Sequence, residues 1–171
     1  MKPNQFKTEL IALLPRLKRY ALTLTRATGD ADDLLQDTCT QALANWKKYD
    51  PSQPLDRWAF TIMRNGWFSE QRKRKVRMGS GQTPIEDMHD LSDNHNADEH
   101  LYANQVGNVV QKLPTDLSST LLLVAKEGYS YKEAAQALDV PVGTIMSRIH
   151  RARQMVSQSL NRGSERGDKH E

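Results

Sequence analysis

The stretch GYSYKEAAQALDVPVGTIMSRIHRAR, residues 128 to 153, decides how the chain folds. Ser130 is followed three residues on by Glu133, the spacing of a capping box, which opens a helix of about two turns with Ala134, Ala135 and Leu138 facing inward. Asp139, Val140 and Pro141 break that helix, and Pro141 stands at the opening of the next, predicted to run to about Leu160. Two helices joined by a turn of roughly three or four residues, with alanines that let them cross closely, make a helix-turn-helix.

At 100° per residue, Ile145, Ile149, Ala152 and Val156 share one arc of the second helix, while Thr144, Ser147, Arg148 and Arg151 share the arc opposite. Short hydroxyl side chains near the helix start let its backbone approach base edges, and arginines a turn later meet phosphates. Met146, His150 and Gln154 flank this face. The wheel by itself suits an ordinary solvated helix equally well. The capped short helix before it tilts the reading toward DNA.

Working outward, the same period holds along the 171 residues: apolar positions recur every three or four residues and no glycine-punctuated alternation occurs, so the fold class is all-α. Residues 4 to 27 carry an apolar stripe of Phe6, Leu10, Leu13, Leu14, Leu17, Tyr20, Ala21 and Leu24. Pro15 interrupts it, either opening a second helix or kinking a long one. Gly29 is expected to end that segment, with Asp30 capping a helix over residues 31 to 47 and Asp33 completing a capping box. DPSQP breaks the pattern, and LDRWAFTIMRNGWFSEQRKRKVR resumes it with Trp58, Ile62, Phe68 and Trp67 as candidate core positions.

These helices form a first module, residues 1 to 77. Residues 78 to 98 are acidic and rich in Gly, Ser, Asn and Asp, which predicts a flexible linker. Its His89, Asp90, Asp93 and His95, with Asp98 and His100 nearby, lack metal-ligand spacing, so no metal site is expected. A second module spans 99 to 162, with a helix to Leu113, a break at Pro114, a short apolar helix and the helix-turn-helix, and residues 163 to 171 form a polar tail expected to be disordered.

The formal charge is only +3, but the charges lie in blocks. RNGWFSEQRKRKVR sets six cations, Arg64, Arg72, Lys73, Arg74, Lys75 and Arg77, against one acid, Glu70, and polyanions are its natural partner. Trp58 and Trp67 lie close by, and aromatic rings beside cations are what a single-stranded base needs for stacking. Both tryptophans also suit a core. Upstream, Asp30, Asp32, Asp33 and Asp37 gather, with Asp33, Gln36 and Asp37 on one helix face. That face complements a helix N-terminus or docks a basic or polar protein helix.

The lone Cys39 excludes an internal disulfide and reads as a buried helix residue. MKPNQFKTEL has no signal-peptide core, and no apolar run approaches the roughly eighteen residues of a membrane span, so a cytoplasmic protein with no membrane insertion is expected. With no phosphate loop, no nucleophile beside an oriented base and no metal set, neither an enzyme nor a cofactor is expected.

Taken together the pattern resembles a sigma factor of the extracytoplasmic-function (ECF) type, a compact bacterial initiation factor with the second and fourth conserved regions only. DADDLLQD resembles the polymerase-binding motif of region two, RWAFTIMRNGWFSEQRKRK the promoter-melting and minus-ten segment, and residues 128 to 153 the region-four helix-turn-helix. The style of that last motif is similar to the alphaproteobacterial general-stress group. The resemblance implies that Asp33, Gln36 and Asp37 bind core RNA polymerase on the clamp of its largest subunit. Minus-ten promoter DNA would then fall to Tyr49, Asp50 and Ser52, in the loop to Leu55 that captures a flipped base, and to Arg64, Asn65, Trp67, Arg72, Lys73 and Arg74. Minus-thirty-five DNA would fall to Tyr131, Lys132, Thr144, Met146, Ser147, Arg148, His150 and Arg151. Relatives often carry a basic residue at position 146, so Met146 departs from the pattern. An anti-sigma factor is the further partner implied, and the linker acids from Glu86 to Glu99 would thread a basic polymerase channel. Two other readings stay open: a sigma-like decoy that sequesters an anti-sigma protein, and a stand-alone helix-turn-helix regulator.

Overall fold

The computed structural model describes residues 2–79 and 99–167, with side chains described over 2–79 and 105–162. The described residues form α-helices and no strand, and they divide into two compact units. The expected linker lies outside the described residues apart from Met78, which ends a helix, and Gly79.

In the first unit α1 runs from Pro3 to Thr25, α2 from Thr28 to Ala44 and α3 from Leu55 to Met78, with a short 3-10 turn over Trp46–Lys48. Pro15 lies inside α1, which continues past it as one element. Phe6, Leu10, Leu17, Tyr20, Ala21 and Leu24 are buried, the expected stripe except for Leu13 and Leu14, which are half-buried. They meet Ala31, Leu34 and Ala42 of α2 and Leu55, Ala59, Phe60 and Met63 of α3. Tyr20 and Phe60 pack edge to face at 4.9 Å, a favoured aromatic geometry.

The junction of α1 and α2 differs from expectation. Arg26, not Gly29, ends α1: it adopts a left-handed φ of 58°, and its N–H donates to the Leu22 carbonyl at 2.8 Å. Gly29 therefore lies within the first turn of α2, which begins at Thr28 with no side-chain cap, and Asp30 is an acid of that first turn rather than the cap. Across the unit, Arg16 Nη2 reaches Asp56 Oδ2 at 2.9 Å, tying α1 to the start of α3.

In the second unit α4 covers Glu99–Gln111, α5 Thr115–Leu121, a π turn Leu122–Lys126, α6 Tyr131–Leu138 and α7 Val142–Gly167. α7 thus continues past Leu160 and through the first residues of the expected tail. Leu113, Leu117 and Ala152 are buried together, with Val110, Leu121 and Val156 packed against them. Ser118, Ser119 and Thr120 are buried on α5, which is tolerable because each hydroxyl donates to a carbonyl of the preceding turn, Thr120 most closely at 2.6 Å to Asp116.

The capping box forms as the spacing predicts. Ser130 Oγ accepts from the Glu133 N–H at 3.2 Å, and the Ser130 N–H donates to Glu133 Oε2 at 2.8 Å. Ala134, Ala135 and Leu138 are buried, and Asp139 closes α6 in the left-handed region with φ 51°. Ile145, Ile149 and Ala152 are then buried along α7.

Candidate protein and nucleic-acid interfaces

On α2, Ala31, Leu34 and Thr38 turn inward, which leaves Asp33, Gln36 and Asp37 exposed on the outer face. Neighbouring acids are already engaged: Lys18 Nζ is 3.1 Å from Asp32 Oδ1, and Arg74 approaches Asp30 and Glu70 at 3.9 and 3.5 Å. Asp33 and Asp37 also border a groove of about 340 Å³ between α2 and α3, whose α3 wall includes Trp67, Lys73 and Arg74. The acidic face and part of the basic run therefore meet along one cleft.

The loop after α2 is tighter than its sequence suggests. Tyr49 turns inward, its ring 5.4 Å from Trp58 and 5.8 Å from Phe6, and its hydroxyl donates to the Gln53 carbonyl. Burial pushes this phenol above its ordinary range. The expectation that Tyr49 faces DNA is thus not how the structure places it: the ring braces the loop from within. Asp50 and Ser52 are exposed, and the Ser52 N–H donates to Asp50 Oδ1 at 2.9 Å, which holds that carboxyl below its usual range.

Along α3 one of the two adjacent aromatics departs from the expected core. Trp67 is half-buried against the α2 groove, whereas Phe68, read as core, is 46% exposed. The reason is helical phase: the buried positions Leu55, Ala59, Phe60 and Met63 set the inner side, and Phe68 lies far around the helix from Met63. Arg64 shares the stripe of Phe68, its guanidinium 5.0 Å from the ring centroid and its Nη1 donating to Asn65 Oδ1 at 3.1 Å. Arg72 and Lys73 are exposed, while Ile62 and Trp58 are half-buried, as is Cys39, expected to be buried.

In the second unit Ser147, Arg151, Met146 and His150 are exposed along α7, with Thr144 half-buried at its start. Tyr131 is half-buried and Lys132 exposed at the start of α6. Arg148 differs from Arg151: its side chain is 20% exposed, and its Nε lies 3.6 Å from Asp116 Oδ2 on α5. Periodicity contains no signal for that partner, because Asp116 is remote in sequence.

Residues 10–77 match the family model of sigma-70 region 2, and residues 103–156 match that of sigma-70 region 4. The chain belongs to the sigma-70 family. Among the relatives of this sigma factor is the ECF RNA polymerase sigma factor EcfG of Rhodopseudomonas palustris (strain TIE-1), 34% identical over 92% of this chain and 86% of that protein. Among solved structures, the sigma factor RpoE of Bartonella quintana, crystallised with the anti-sigma factor NepR, is 31% identical, with a TM-score of 0.77 over 92% of this chain and 97% of that one. CnrH, solved with the cytosolic domain of CnrY, is 25% identical, with a TM-score of 0.64 over 94% and 90% of the two chains.

Among the described residues no helix is long and apolar enough to cross a membrane, and no three metal-ligating side chains gather. The His and Asp residues between 89 and 98 lie outside the described residues, as do nearly all the linker acids, and no side chain is described for Glu99 or His100.

Proposed function

We propose that this ECF sigma factor docks on the clamp of core RNA polymerase through Asp33, Gln36 and Asp37 and opens promoter DNA along α3. The exposed loop residues Asp50 and Ser52, with Arg64, Asn65, Arg72, Lys73 and Arg74, face the minus-ten strand, and Phe68 replaces Trp67 as the aromatic offered to a base. Thr144, Met146, Ser147, His150 and Arg151, with Tyr131 and Lys132 at the edge of α6, face the minus-thirty-five duplex. The observation that carries this reading is a division of charge within one unit: an exposed acidic face on α2 beside a helix α3 that ends in exposed cations. DNA repels the first and attracts the second, so one unit has both a protein face and a nucleic-acid face.

Polymerase sets the separation of the two units, so the second promoter contact gains from a raised effective concentration. The factor works in the cytoplasm, on a stress regulon, under an anti-sigma protein. The likeness to RpoE, whose structure holds an anti-sigma factor, supports that control.

Transcription in vitro with core polymerase on a promoter library tests the reading. The expected outcome is initiation from a defined promoter set, lost when Asp33 and Asp37 are both replaced by lysine. A chain that fails to pull down core polymerase yet captures an anti-sigma protein is a decoy. One that binds DNA specifically without polymerase is a stand-alone regulator.

A further inference from the structure

Arg148 and Arg151 share a helix face and a charge, yet the structure treats them differently. Arg151 is exposed, whereas Arg148 reaches from α7 to α5, its guanidinium next to the Asp116 carboxylate, 3.6 Å away. Asp116 is firmly placed for this. Its own carbonyl accepts the Thr120 hydroxyl at 2.6 Å, and the next residue, Leu117, is buried with Ala152 of α7, so the Asp116 backbone is held beside α7 and its carboxylate within reach of Arg148. The carboxylate itself is 49% exposed. A pair so open to water adds little to folding. It places a negative charge beside a face that meets a polyanion, which weakens binding unless the charge has another use.

We propose that Asp116 is a positioning residue that sets the promoter selectivity of α7 by holding Arg148. On nonspecific DNA Arg148 stays with Asp116, so the pair is electrically neutral and releases no counterion for it. On a promoter whose groove seats α7 fully, a phosphate comes close enough to take the guanidinium from the carboxylate. Arg148 then rewards correct docking only, and nonspecific grip falls to Arg151 and its neighbours. The proposal rests on the reading that α7 faces the minus-thirty-five duplex.

The test uses holoenzyme assembled from core polymerase and the full chain, with a promoter duplex and a scrambled duplex titrated across salt concentrations. Asp116→Asn is expected to tighten the scrambled complex several-fold, steepen its log–log salt dependence by about 0.9, the worth of one phosphate contact, and lower the promoter-to-scrambled ratio. Asp116→Glu is expected to restore the ratio. In an Arg148→Ala background, Asp116→Asn is expected to leave the salt slope and the promoter-to-scrambled ratio unchanged, since the lost repulsion acts on both duplexes alike. Equal effects of Asp116→Asn in both backgrounds overturn the proposal, since they reflect bulk charge alone. An unchanged salt slope, with or without a lower melting temperature, overturns it as well. If Arg151→Ala leaves promoter binding intact, it is the placement of α7 on DNA that has failed.

Discussion

The Arg64 guanidinium lies 5.0 Å from the centroid of the Phe68 ring, on the side of α3 turned away from the buried Met63. That contact steadies an aromatic face that water would otherwise leave mobile, and it stands where the helix becomes basic. Stacking a base on such a ring is worth about 1–3 kcal/mol. Phe68→Ala should therefore lower open-complex formation roughly tenfold, measured by permanganate reactivity of the minus-ten strand, while Phe68→Tyr retains most of it. Trp67→Ala should instead lower the melting temperature, because that ring packs in the α2 groove.

Asp33 and Asp37 offer the complementary test. Both are exposed, so Asp33→Lys with Asp37→Lys should leave thermal stability within about 0.5 kcal/mol of the parent. Affinity for core polymerase should fall by roughly tenfold or more, since like charges meet across the interface, and biolayer interferometry with purified core reads that directly. An equal loss from neutralising Asp32, which Lys18 already engages, would argue against a localised docking face.

The capping box predicts a stability effect confined to the second unit. Ser130→Ala removes the acceptor for the Glu133 N–H and frees the Glu133 carboxylate from its reciprocal bond. The cost should be about 1 kcal/mol, with Ser130→Asp losing much less. Hydrogen exchange would show the change over α6 and α7 and leave α1 to α3 unaltered.

Tyr20 gives a pH dependence with a definite sign. Burial pushes its phenol far above the ordinary value of 10.0, and the nearby Arg64 charge offsets only part of that. Below pH 10 the phenol is neutral in the folded and the unfolded chain, and its stabilising contribution is complete. Above pH 10 the unfolded chain releases the proton while the folded one keeps it, so stability falls with rising pH, by about 1.4 kcal/mol per pH unit for this group. Tyr20→Phe should flatten that part of the curve in urea unfolding measured from pH 9 to 11.

Much of this was legible locally. The capping box at Ser130, the break at Asp139 and the apolar face of α7 follow from neighbours within a turn or two, and the structure contains each. The exposed acids of α2 were legible for the same reason, since Ala31, Leu34 and Thr38 mark the inner side. Where local cues are ambiguous, packing decides the outcome. Gly29 looked like a terminator, but Arg26 adopted the left-handed geometry first, and nothing in composition ranks the two.

The helical class, the order of the two modules and the separation of acidic from basic faces are set locally, because helical period and charge act between residues close along the chain. Packing fixes which aromatic of the Trp67–Phe68 pair is exposed, that Tyr49 braces its loop from inside, and that Arg148 is held by Asp116. Each of these depends on which remote surface a side chain meets after packing. A helical wheel gives the angle of a residue but not what stands opposite it.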